Sequence, residues 1–165
     1  MKTSELDPSA LPLPELRALR AGLQHEDDVV SYVRRLTQAR LDLVRAETNR
    51  RAAGAGVTDF SGELPSILGT HLTGGPARPP RPADDYSQHP MALELTALCD
   101  ECGSTDLPSM TDEELAEYSA RLQAFEHERS AARQDLFTRI DELSAELVRR
   151  YRDGEASVDG LLADD

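Results

Sequence analysis

Two long stretches of this chain place apolar residues at the spacing of one helical face. In the first, Leu16, Leu19 and Leu23 mark an apolar edge, and Val30, Val33, Leu36, Leu41 and Val44 continue it as an arc. Pro14 suits a first helical turn, where its missing N–H costs nothing. Gly22, close to the acidic run that follows His25, leaves open whether one helix or two span residues 14–52. From Asp28 to Ala53 there is no Gly or Pro, and the Gly54-Ala55-Gly56 step predicts the stop. In the second stretch Leu115, Leu122, Leu136 and Leu143 keep a heptad spacing, with Tyr118, Phe125, Ala132 and Ile140 in the alternate row. Thr111 and Glu114 have the T-x-x-E spacing of a capping box, and Met110 and Leu115 stand where a hydrophobic staple would close over it. This helix is predicted to run to Arg152-Asp153-Gly154.

The intervening chain reads differently. Residues 57–72 contain the apolar ELPSILGTHL, which predicts a short helix beginning near Pro65, and MALELTALC predicts another from Met91. Between them, residues 73–90 hold five prolines and two glycines in eighteen positions, the composition of an extended linker. Residues 1–13 are expected to be a flexible lead-in and residues 154–165 an acidic disordered tail. The expectation is an all-α fold over 14–153. It is an antiparallel two-helix coiled-coil hairpin with long helices at about 27–53 and 111–152, short accessory helices, and a Pro-rich linker.

Composition narrows the function. With 18 basic against 31 acidic residues, the net charge of −13 argues against direct nucleic-acid binding and is compatible with a basic partner. Aromatics make up only 4% and Trp is absent, so a large aromatic-lined pocket is not expected. No apolar run approaches a membrane span, and the N-terminal MKTSELDPSALPLP lacks the pattern of a secretory signal, so the expected location is cytoplasmic. Cys99 and Cys102 have the spacing of half a zinc site, but no second C-x2-C or H-x3-H accompanies them, so two ordinary thiols are expected and no metal. No nucleophile–base set or Gly-rich phosphate loop occurs either, and the chain is not expected to be an enzyme.

One polar feature appears twice. Asp27, Ser31, Arg34, Gln38 and Asp42 form the pattern D-x3-S-x2-R-x3-Q-x3-D, and Glu126, Ser130, Arg133, Phe137 and Asp141 stand at the same offsets later in the chain. On a helix these offsets fall in one stripe about 80° wide and about 22 Å long, bordering the apolar arc. Solubility alone needs only i,i+4 charge pairs, not the same mixed row twice. Arg can fork onto phosphate oxygens or onto the O6/N7 edge of guanine, and an ionised carboxylate accepts from guanine N1–H and N2–H2. The row therefore suits a phosphorylated guanine nucleotide, and two copies suit a ligand with two guanines. The bland alternative is a set of exposed charges paired at helical spacing.

The repeated pattern resembles that of the RsiG family of actinobacterial anti-sigma factors, and the resemblance covers both long helices, including SYVRRLTQARLDL and LFTRIDELSAELVRRY. It implies that cyclic di-GMP, as a dimer, binds the repeated motif and enables the protein to sequester a WhiG-type sigma factor, repressing developmental and sporulation genes. Carried over by position, the ligand set is Asp27, Ser31, Arg34, Gln38 and Asp42 with Glu126, Ser130, Arg133 and Asp141. Two positions depart from the family pattern. Asp27 stands in place of Glu, and Phe137 in place of Gln, where it either stacks on a base or joins the core. Two other readings compete with this one. They are a ligand-independent helical adaptor, and a homodimeric nucleotide sensor with no sigma partner.

Overall fold

A computed structural model describes residues 7–54 and 84–154. The short helix predicted near Pro65 and most of the Pro-rich linker lie outside the described residues, as does the tail from residue 155. Among the described residues the fold is all-helical, without a strand. It comprises three α-helices, α1 (Leu13–Ala52), α2 (Pro90–Glu101) and α3 (Asp112–Arg152), and two 3-10 turns, Pro8–Ala10 and Leu107–Ser109.

Helix α1 is a single element of 40 residues that passes through Gly22 without a break. Gly22 costs about 1 kcal/mol relative to Ala in a helix interior. Leu16 and Leu23 are buried on either side of it, and burying a Leu stabilises by about 1.5–3 kcal/mol, so the helix continues. It ends before Gly54, whose φ of 65° lies in the left-handed region that a side chain disfavours. At the start of α3 the capping box is complete. Thr111 N–H donates to Glu114 Oε2 at 2.7 Å, and Glu114 N–H donates to Thr111 Oγ1 at 3.2 Å. Met110 and Leu115, the two ends of the staple, are both buried in one cluster. Helix α2 is opened by His89, whose Nδ1 accepts from Met91 N–H at 3.2 Å.

The chain divides into two compact units. The first contains residues 7–28 and 131–154. Leu16 and Leu23 of α1 and Leu136, Ile140, Leu143 and Leu147 of α3 are its buried apolar residues. The polar contacts step in opposite directions along the two segments, so they run antiparallel. Arg17 donates to the Tyr151 hydroxyl (2.5 Å), Arg20 to Ser144 Oγ (2.8 Å) and Arg133 to Asp27 Oδ1 (3.1 Å).

The second unit spans 29–54 and 84–130 among the described residues. Here α2 packs with parts of α1 and α3 in one apolar cluster that includes Val33, Leu41, Val44, Leu95, Tyr118, Leu122 and Phe125. Arg129 to Glu94 and Arg121 to Glu101, both 2.6 Å, tie α3 to α2. Arg34 to Glu126 (2.9 Å) and Arg51 to Asp112 (2.7 Å) again step in opposite directions along α1 and α3. The buried Thr37 hydroxyl donates to the Val33 carbonyl at 2.9 Å, which leaves it satisfied inside the cluster.

Candidate functional site

The two motif copies exchange partners. Arg34 of the first copy pairs with Glu126, the opening acid of the second, and Arg133 of the second pairs with Asp27, the opening acid of the first. Each pair lies within one unit and centres one cluster, and the ten residues divide between the two units. Helical spacing alone favours pairs within a helix; the structure makes both of these pairs between helices.

In the second unit, Glu126 Oε1 is the centre of the first cluster. It accepts from Arg34 Nε (3.2 Å) and its terminal nitrogen (2.9 Å), from Gln38 Nε2 (3.1 Å) and from Ser130 Oγ (2.9 Å). Burial acts to raise the Glu126 carboxyl, but the hydrogen bonds from Arg34 and Ser130 outweigh it and hold the group below its ordinary value. It is therefore a carboxylate at neutral pH. All four of these bonds reach one oxygen, and Oε2 accepts none of them. The Ser31 hydroxyl is buried without a hydrogen-bond partner, a polar atom of the motif left unsatisfied. Asp42 takes Arg45 at 3.3 Å. Gln38, Asp42 and Glu126 line a groove of about 630 Å³, which Arg45 and His127 also border.

In the first unit the second cluster is sparser. Arg133 Nε reaches Asp27 Oδ1 at 3.1 Å, and its guanidinium lies 4.5 Å from the centre of the Phe137 ring. Phe137 is 42% exposed, so of the two roles open to it, membership of the core is not the one it takes. Asp141 is exposed. This cluster has no amide at the Gln position and no side chain receiving four bonds, so the two copies differ chemically as well as in sequence.

Two further acid–arginine sets escaped the sequence reading. Glu47 is fully buried and receives Arg50 at 2.7 and 2.6 Å and Arg51 at 2.6 Å, and the hydrogen bond from Arg50 is the main cause that lowers its carboxyl. Arg51 then donates to the carbonyls of Leu107 (2.9 Å) and Pro108 (3.4 Å), in the turn before α3. In the other unit Glu146 receives Arg150 at 2.6 Å. Arg150 donates to the carbonyls of Leu11 (2.7 Å), Pro8 and Ser9 (both 3.1 Å), in and after the turn before α1. Glu47 and Arg51 stand at the same spacing from the first motif as Glu146 and Arg150 do from the second. The signal was present as A-E-x-x-R-R at Ala46–Arg51 and again at Ala145–Arg150. The repeat thus extends past the motif to a pair of arginine clamps, each closing on the turn that leads into the other long helix.

Among the described residues no group of three His, Cys, Asp or Glu side chains is placed to hold a metal ion, and no helix is long and apolar enough to cross a membrane. Cys99 and Cys102 are free thiols, accepting from the Tyr118 hydroxyl and from Arg121 respectively, each at 3.3 Å. His25 and His127, which flank the motifs, are both exposed.

Comparison with known proteins adds one match. The model of a family described as RsiG-like matches residues 2–68 and 101–164, most of the chain and both long helices. No curated protein matches the sequence.

Proposed function

Since this chain belongs to the RsiG-like family, whose character points to an anti-sigma factor role, we propose that it is a nucleotide-armed anti-sigma factor. In this reading the two long helices act as an antiparallel coiled-coil hairpin, in keeping with the direction of the contacts inside each unit. Cyclic di-GMP, as a dimer, binds the repeated motif, and the loaded protein sequesters a WhiG-type sigma factor in the cytoplasm. Transcription of developmental genes is repressed until the nucleotide level falls. No catalytic step is involved.

The observation that carries this reading is the reciprocal pairing of Arg34 with Glu126 and of Arg133 with Asp27. Each cluster couples a guanidinium that suits phosphate or a guanine Hoogsteen edge to a carboxylate that suits guanine N–H donors. In the first cluster both groups are held before any ligand arrives, which limits the ordering cost of binding. The Ser31 hydroxyl of the motif is buried without a hydrogen-bond partner.

The same pairing favours a second reading, the ligand-independent adaptor. Both arginines already have partners, and cross-helix ion pairs can serve structure alone. Calorimetric titration of cyclic di-GMP into the full chain separates the two, with Arg34→Ala/Arg133→Ala as control and cyclic di-AMP as competitor. The expected result is binding of micromolar affinity or tighter, lost in the double variant and not matched by cyclic di-AMP, together with nucleotide-dependent capture of a WhiG-type sigma factor. Nucleotide-independent capture that survives the double substitution would establish the adaptor. Nucleotide-driven self-association without sigma capture would point to the homodimeric sensor.

A further inference from the structure

Two carboxylates, Asp42 and Glu126, border the groove beside the first cluster. They suit the N–H edge of a guanine but would repel its phosphate, and Arg34 is already committed to Glu126 by two bonds. A dinucleotide carrying two phosphodiester charges needs another cation here. We propose that Arg45, with His127 across the groove, holds a phosphodiester of the nucleotide bound at this cluster; the inference rests on the nucleotide-binding reading above.

Neither residue belongs to the repeated motif, and both border the same groove as Gln38, Asp42 and Glu126. Its volume of about 630 Å³ falls within the range of small-molecule sites. The Arg45 side chain is 62% exposed and touches Asp42 at 3.3 Å, longer than a strong charge-assisted bond. Such a contact is weak in water, so turning the guanidinium toward a phosphate costs little. With five N–H donors it can keep Asp42 and still fork onto phosphate oxygens. The exposed His127 imidazole adds a donor from the α3 side.

The counterpart positions in the second copy lack this pair. Ser144 stands where Arg45 does, its hydroxyl already accepting from Arg20 at 2.8 Å, and Asp28 stands in place of His127. The two half-sites are therefore unequal, and the second offers no counterpart of this cationic pair.

The test is titration of cyclic di-GMP into the full chain at two salt concentrations, comparing wild type, Arg45→Ala, Arg45→Lys and His127→Ala. Arg45→Ala is expected to weaken binding about tenfold and to make it less sensitive to salt, the signature of a lost contact with a charged group. Arg45→Lys should regain part of the loss, and His127→Ala, which removes one imidazole donor, should weaken binding by less than Arg45→Ala does. Both side chains are exposed, so the helical circular dichroism and Tm of these variants are expected to match wild type. Binding by Arg45→Ala within twofold of wild type, while Arg34→Ala abolishes it, would overturn the phosphate assignment and leave the nucleotide reading standing. Failure of the wild-type chain to bind cyclic di-GMP, with and without a WhiG-type sigma factor, would overturn both.

Discussion

Replacing Glu126 with Gln keeps the shape of the side chain and removes the charge on which the first cluster converges. Oε1 accepts four bonds, two of them from Arg34, and the Arg34 and Glu126 side chains are each 21% exposed. A hydrogen bond to a charged group contributes about 1.5–3 kcal/mol net when well buried. Partial exposure and solvent screening reduce this, so the expected loss at pH 7 is about 1–2 kcal/mol. The sign with pH follows from the direction of the shift. The folded carboxyl lies below its ordinary 4.5, so its contribution is fully present above that value and is lost as pH falls through the lower folded value. Urea unfolding followed by far-UV circular dichroism at pH 7 and at pH 3 measures both quantities, with unchanged m as the sign that the denatured state is not altered. The gap between wild type and Glu126→Gln should be larger at pH 7 than at pH 3. A variant as stable as wild type at pH 7, or a gap that does not change with pH, would refute the stabilising role given to the Glu126 charge.

Two other expectations follow from the same structure. The Arg149 and Arg150 hydrogen bonds hold the Glu146 carboxyl down to about 2, so its stabilising contribution is present above 4.5 and declines as pH falls from there toward 2. In an acid titration Glu146→Gln should flatten the wild-type loss across that window, and an unchanged profile would count against the clamp. Phe137 is exposed, so Phe137→Ala should alter stability by no more than about 0.5 kcal/mol. It should nevertheless weaken cyclic di-GMP binding several-fold if the ring stacks on a base, and unaltered affinity would assign the ring to its contact with Arg133 alone.

Local physics made a good part of the fold legible. The T-x-x-E box at Thr111 and Glu114 needs only a few residues of helix to form, and both of its hydrogen bonds are present. The left-handed glycines at Gly54 and Gly154 follow the helix ends for an equally local reason. Gly22 was ambiguous because its cost is local, whereas the burial of Leu16 and Leu23 that outweighs it depends on α3. The clamps at Arg51 and Arg150 were harder to see. Their acceptors are backbone carbonyls of distant turns, and a carbonyl has no signature in the sequence.

By itself, then, the sequence determined that this protein is helical, where the second long helix begins, and that one polar row is written twice along two amphipathic faces. Periodicity and capping act over a few residues, so they can be read without knowing what lies opposite. Only the tertiary structure decided that Arg34 answers to Glu126 and Arg133 to Asp27, that the first copy borders a groove reached by Arg45 and His127, and that Phe137 stays outside the core. Those outcomes depend on which turn of one helix stands opposite which turn of another. That alignment is set by the interlocking of buried Leu, Val and Phe side chains, not by the spacing of the charges themselves.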